Sequence, residues 1–180
     1  MGLKYVRTPE PHILEIGFGT GLNAFLTLLS ANEDNRKIYY TGLELYPLSW
    51  ETVAALNYSD DPLFKQLHII PWEEEIKVTP GFTLLKKKID FTKFEAGTHN
   101  NPLYDVVYFD AFAPEKQPEM WEQSLFNQLH SIMNHGGVLT TYCAKGVVRR
   151  MLQQAGFIVE RLPGPPGGKR EILRATKNCI

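Results

Sequence analysis

From His12 to Thr176, short β-rich runs alternate with stretches of helical periodicity, and no other feature constrains the fold as much. The pattern predicts strands at His12–Phe18, Ile38–Leu45, His68–Ile70, Asp105–Asp110, Val138–Cys143, Phe157–Leu162 and Arg170–Thr176, with Phe82–Lys87 a further candidate. Helices are expected at Leu22–Ser30, from Pro47 to near Asn57, at Met120–Asn134 and at Val147–Ala155. Gly136-Gly137 should end the third helix and Gly156 the fourth. Such alternation implies a mostly parallel sheet with helices on both faces. The last two strands are joined only by Pro163-Gly-Pro-Pro-Gly-Gly168, so they should pair as a hairpin. The expected fold is α/β, a doubly wound, mostly parallel sheet ending in an antiparallel hairpin, built as one domain over residues 1–180.

Apolar residues make up 43% and charged residues 22%, an ordinary globular balance that argues against disorder, collagen and coiled coil. No apolar run approaches the ~20 residues needed to span a bilayer, and the first residues lack a signal-peptide pattern. No membrane association and a cytoplasmic setting are therefore expected. Cys143 and Cys179 lack metal-ligand spacing, so no metal is expected. The net charge of −1 conceals an asymmetry: residues 136–180 hold eight Lys/Arg against two Glu. A polyanionic partner and a merely solvated basic face both remain open on charge alone.

The first strand runs into Glu15-Ile-Gly17-Phe18-Gly19-Thr20-Gly21-Leu-Asn23. Glycines allow a sharp turn and let a ligand lie against bare backbone. The dinucleotide fingerprint requires Gly or Ala where Leu22 stands, and no Gly-Lys-Ser/Thr of a P-loop is present. A loop lacking a phosphate-binding lysine suits a cofactor without phosphate. Glu44 ends the second strand, 23 residues beyond Gly21, where a carboxylate can accept hydrogen bonds from ribose hydroxyls. A surface glutamate is the plainer alternative.

The acidic-x-Gly-x-Gly-x-Gly loop resembles the first motif of the class I S-adenosyl-L-methionine methyltransferases, and the resemblance implies their Rossmann-like, seven-stranded sheet with an antiparallel last strand, in agreement with the hairpin expected above. The resemblance implies S-adenosyl-L-methionine as cofactor. It places the backbone of Gly17, Phe18, Gly19, Thr20 and Gly21 at the methionine end and Glu44 on the ribose, with Glu15, Asn23 and Asp110 also among the cofactor-binding residues. Asp90 stands where such enzymes often hold the adenine amino group, and it reads equally well as a turn aspartate.

The fourth long strand ends Phe109-Asp110-Ala-Phe112-Ala-Pro114-Glu-Lys116-Gln-Pro118-Glu-Met-Trp121. An acid, an aromatic residue and a proline at a strand tip resemble the Asp-Pro-Pro-Tyr/Phe motif of amino-group methyltransferases. The chemistry suits nitrogen: a carboxylate that accepts an N–H aims the remaining lone pair at the methyl group. Asp110 would orient the amine first and accept a proton second, and Phe112 could stack on a flat base or pack in the core. This stretch, the glycine loop, Thr141-Tyr-Cys-Ala-Lys145-Gly-Val-Val-Arg149-Arg150 and the terminal Lys169-Arg170-Glu-Ile-Leu together resemble the methyltransferase domain of the MnmC family.

That resemblance implies N-methylation of the 5-aminomethyl group of a tRNA wobble uridine. Lys116, Lys145, Arg149, Arg150, Lys169 and Arg170 would then hold the anticodon stem-loop. The FAD-dependent oxidase domain of some members is not expected in these 180 residues, so a separate oxidase or other modifying protein is a candidate partner. Family members carry a longer segment before the first strand, and its counterpart is expected to be missing here. A small-molecule amine methyltransferase or aminopropyltransferase, and a non-catalytic cofactor-binding module, are the alternatives.

Overall fold

A computed structural model describes residues 2–94, 102–164, 167–168 and 171–178. Eight strands form one sheet: β1 (His12–Ile16), β2 (Ile38–Glu44), β3 (Glu75–Thr79), β4 (Phe82–Lys88), β5 (Tyr104–Phe109), β6 (Met133–Thr141), β7 (Phe157–Pro163) and β8 (Glu171–Lys177). Their order is β3-β4-β2-β1-β5-β6-β8-β7. The five central strands, from β4 to β6, run parallel. β8 runs antiparallel between β6 and β7, so the terminal hairpin forms as expected.

Helices α1 (Leu22–Asp34), α2 (Trp50–Ala54) and α3 (Pro62–Ile69) contribute to one apolar cluster, with Phe25, Leu28, Val53, Phe64 and Leu67 all buried. Helices α4 (Gln123–Ser131) and α5 (Gly146–Gln154) contribute Phe126, Leu129, Val148 and Leu152 to the other. The sheet is thus covered on both faces, and its inner strands are buried mainly through apolar side chains. No helix among the described residues is long and apolar enough to cross a membrane.

Three expectations need correction. His68–Ile70 is not a strand: Asp61 caps a helix through Leu63 N at 2.8 Å, Pro62 occupies its first turn, and Phe64 and Leu67 share its buried face. β3 is an additional edge strand, making eight rather than seven. Its Glu75-Ile-Lys-Val-Thr stretch precedes Pro80-Gly81, an ordinary hairpin signal, and β3 pairs antiparallel with β4. The expected long helix Met120–Asn134 divides into a 3-10 turn at Pro118–Trp121, α4 and the start of β6. Gly136-Gly137 therefore lie inside β6, where the pairing with β5 slips between Tyr104 and Val106. Gly136 takes φ +77° there, a bend that glycine tolerates within a strand irregularity.

Candidate active site

Strand register assembles the site. Ile16 of β1 lies beside Leu43 of β2 and beside Phe109 of β5. The next residues, Gly17, Glu44 and Asp110, consequently emerge side by side at the carboxyl edge of the sheet, where open α/β sheets bind ligands. Backbone bonds extend the pairing past the strands: Gly17 N and Phe18 N both donate to Leu43 O, and Asp110 N donates to Ile16 O, each at 3.0 Å. A Cβ on Gly17, whose φ is +88°, would lie 2.8 Å from the Asp110 carbonyl oxygen. Only glycine lets the loop pass this close to the β5 tip.

The strand ends enclose a crevice of about 280 Å³. Gly17, Phe18, Gly19, Thr20, Asn23, Glu44, Asp90, Asp110 and Phe112, all anticipated from the sequence, line it. Glu44 is gripped at both oxygens, accepting from Gly19 N and from Tyr46 N at 2.9 Å. Its remaining lone pairs are available to hydroxyl donors. Asp90 serves as a turn aspartate while also lining the crevice: its Oδ1 accepts from Thr92 N at 2.9 Å and Thr92 Oγ1 at 2.8 Å.

Glu15 and Gly21 are placed differently. Glu15 is 1% exposed and lies behind the loop, accepting from Asn23 Nδ2 and from the Tyr40 hydroxyl at 2.8 Å. Burial pushes its carboxyl up to about 8, against the pull of those two donors. Glu15 thus braces the loop from the core side. Gly21 takes φ +68° as the N-cap of α1 and supports the loop from below.

Asn23 connects the two halves of the site. Its Nδ2 also donates to Asp110 Oδ2 at 3.1 Å. Asp110 faces the open crevice, but the surrounding walls withhold enough water to raise its carboxyl above the ordinary range, partly offset by the Asn23 bond. The loop after Asp110 is pinned at successive carbonyls: the Tyr142 hydroxyl donates to Ala111 O and Trp121 Nε1 to Phe112 O, both at 2.8 Å. Phe112 is held by its backbone while its ring stays 69% exposed, which rules out the core-packing alternative.

Several contributors were not identified from the sequence. Tyr46, Ile89, Phe91, Gln117 and Met120 complete the crevice wall. Tyr46 could have been inferred, since it stands two residues beyond the acidic strand end. His68, once assigned to a helix, supports the glycine loop with Nε2 3.0 Å from Thr20 O. Burial lowers its pKa, so the neutral ring donates this bond.

The expected nucleic-acid residues are more dispersed. Lys116, Lys145 and Arg150 are exposed, and Lys145 forms an ion pair with Glu115. Arg149 is half-buried, with its Nε unpartnered among the described residues. Lys169 and Arg170 lie outside the described residues.

A family model described as S-adenosyl-L-methionine-dependent methyltransferase matches residues 93–178. The "tRNA 5-methylaminomethyl-2-thiouridine biosynthesis bifunctional protein MnmC" of Leptospira borgpetersenii is 35% identical over 170 residues, 89% of this chain and 26% of that protein. Its counterpart in Leptospira interrogans is 34% identical over 171 residues, with the same coverage. The chain thus spans about a quarter of the length of the curated relatives it matches, 26% in each. Among solved structures, MNMC2 from Aquifex aeolicus superposes with a TM-score of 0.72 at 21% identity, covering 99% of this chain and 56% of that one. CalS10 from Micromonospora echinaspora, an amino pentose methyltransferase solved with S-adenosyl-L-methionine, gives 0.55 at 15% identity, covering 93% and 84%. These two likenesses show the fold. The sequence relatives establish that the chain belongs to the MnmC family.

Proposed function

We propose that this chain N-methylates the 5-aminomethyl group of the wobble uridine in tRNA, giving the 5-methylaminomethyl base. The observation that carries this reading is the β5 tip: a partly desolvated carboxylate, Asp110, tied by Asn23 to the glycine loop and followed by an exposed aromatic ring, Phe112. The name of the Leptospira relatives supports the uridine derivative as acceptor.

The crevice residues fit the cofactor: positive-φ glycines give close backbone approach, Glu44 meets hydroxyls, and no lysine lines it to select phosphate. When bound, S-adenosyl-L-methionine would supply a sulfonium methyl to the amine lone pair, the N–C bond forming as the S–C bond breaks, so that a thioether leaves and the nitrogen becomes a secondary ammonium with one N–H proton to lose. Asp110 accepts one N–H of the amine and so directs the lone pair. Its raised pKa makes it a better acceptor for the proton that must then leave. Asn23 fixes the carboxylate's rotation. Phe112 offers a face for the base, and Lys116, Lys145, Arg149 and Arg150, with Lys169 and Arg170, are assigned to the RNA backbone.

Residues 1–180 are read as one catalytic unit working in a reduced cytoplasmic setting, with a separate FAD-dependent oxidase as a candidate partner in the same modification sequence. The test is Asp110→Ala, assayed with labelled cofactor on tRNA bearing 5-aminomethyluridine. Transfer should fall ~10²–10⁴-fold while the circular dichroism spectrum and cofactor affinity hold. Transfer undiminished in the variant, or a free small amine methylated in preference to the RNA, would defeat the reading.

A further inference from the structure

A buried lysine with no part in the mechanism above lies beneath the glycine loop. Lys86 of β4 is 1% exposed, and none of the ion pairs among the described residues includes it. An unpaired cation is costly to bury, so it needs other partners. Its ammonium donates to His68 O, near the end of α3, at 2.8 Å. It also lies over two rings, 4.9 Å from the centre of Trp72 and 5.9 Å from that of Phe18. Burial lowers its pKa to about 8, which leaves it a cation at neutral pH.

We propose that Lys86 is a positioning residue for the cofactor: tethered to the end of α3, its ammonium holds the Phe18 ring and, through that ring, the glycine loop. The inference concerns the cofactor half of the site and stands whichever amine accepts the methyl group.

Phe18 is the link. It lines the crevice, yet it is only 3% exposed, because its ring packs down onto Gly42 of β2. A Cβ on Gly42 would lie 2.5 Å from Phe18 Cδ2. Glycine inside a strand marks such a close approach. Gly42 is also the register partner of Lys86, so the bare position and the cation stand side by side beneath the ring. Trp72 and His68 meet the same ring edge-on, with centroids 6.1 Å and 5.9 Å away. The two neighbours of Phe18, Gly17 and Gly19, both take positive φ and have no side chain to pack. Phe18 therefore supplies the anchor for this part of the loop, and Lys86 is the charged wall of its socket. Capping the last carbonyls of α3 is the plainer role for a lysine here, and the test separates the two.

Affinity for S-adenosylhomocysteine is measured by calorimetry for the unaltered chain, Lys86→Met, Phe18→Leu and the double variant, beside their melting temperatures. Lys86→Met should weaken binding about fivefold in the unaltered background. It should cost less than about twofold when Phe18→Leu is already present, since the ring it acts through is gone. Binding that favours the ammonium form is lost as pH rises through the lysine's pKa, so between pH 7 and pH 9 the unaltered chain should lose about fivefold more affinity than Lys86→Met. The other ionisable groups on the elements packed around Lys86 are Lys65 and His68 on α3, Glu73 and Glu74 ahead of β3, and Tyr40 and Glu44 on β2. These, like Glu15 and the ligand's own amine, are common to both chains and cancel in the comparison. Should Lys86→Met fail to fold, Lys86→Gln, which keeps a donor for His68 O, replaces it under the same criteria. Affinity unchanged by the substitution, an equal loss with and without Phe18→Leu, or parallel pH profiles would overturn the assignment and leave Lys86 as a cap of α3. No binding by the unaltered chain would overturn this inference together with the cofactor reading on which it rests.

Discussion

The two ends of the sheet's carboxyl edge are built on different principles. On the β1–β2–β4 side, ligand-facing groups are fixed by backbone: the Leu43 carbonyl takes two loop amides, and Glu44 is clamped by two more. On the β6–β8–β7 side, the groups are long cations, and much of their charge is spent on the fold itself. Arg174 is 8% exposed, bonds Glu160 Oε2 at 2.9 Å and stacks 3.4 Å from the centre of the Tyr5 ring. Arg161 pairs with Glu171, and Lys145 with Glu115. A motif that encodes backbone shape therefore survives translation into structure intact, whereas a count of charges does not.

The largest expected break falls on the backbone side. Gly17→Ala puts a Cβ 2.8 Å from the Asp110 carbonyl oxygen at φ +88°. The left-handed conformation alone costs ~1–2 kcal/mol, and the clash adds displacement of the β5 tip. Calorimetric affinity for S-adenosyl-L-methionine should drop at least about tenfold and the melting temperature should fall by several degrees. Gly167→Ala is the matched control on the other side: φ is +75° but none of the described residues lies within 4 Å, so the conformational cost is the one that applies. Equal losses for both variants would show that close approach at Gly17 is unimportant.

A second prediction concerns Glu15, also on the backbone side. Its folded pKa of about 8 lies above the 4.5 of the free side chain. Between those values the folded chain holds a proton that the unfolded chain has released. Stability should therefore fall as pH rises through that window, by up to a few kcal/mol, and this group should contribute no further slope below it or above it. Glu15→Gln keeps an acceptor for Asn23 and should flatten the profile, so its advantage over the unaltered chain grows from pH 5 to pH 8. Parallel profiles from thermal melts across that range would refute the assignment.

The same contrast explains what was legible in the sequence. Glycine spacing, the acid at each strand tip and the Gly/Pro hairpin are local signals whose meaning is set by backbone sterics, and Gly17, Glu44 and Asp110 lie together as anticipated. His68 was read as strand because three residues, His-Ile-Ile, show no period, while the Asp61-Pro62 helix start ahead of them does. Gly136-Gly137 looked like a helix stop because the same two residues serve a strand irregularity. The burial of Glu15 behind the loop is not legible in the sequence, because a carboxylate in a ligand loop and one buried behind it are spelled alike. Only the Tyr40 hydroxyl, reaching across from β2, separates them.

The smallest effects should come from the rim, and they distinguish cations that serve RNA from those that serve the fold. Lys145 and Glu115 are both exposed, and a surface pair of this kind is worth ~0–1 kcal/mol. Glu115→Gln should leave stability nearly unchanged while freeing Lys145. Stem-loop affinity should then rise a few-fold, and the slope of log affinity against log salt should steepen by about one counterion. Arg150→Ala should move both quantities the opposite way by a similar amount. Arg174→Ala should do neither: it removes a buried contact to Glu160 and Tyr5, so it should lower the melting temperature and leave the salt slope alone. A salt slope that shifts with Arg174 but not with Lys145 or Arg150 would reverse the division, placing the RNA on the hairpin rather than on the helix that follows β6.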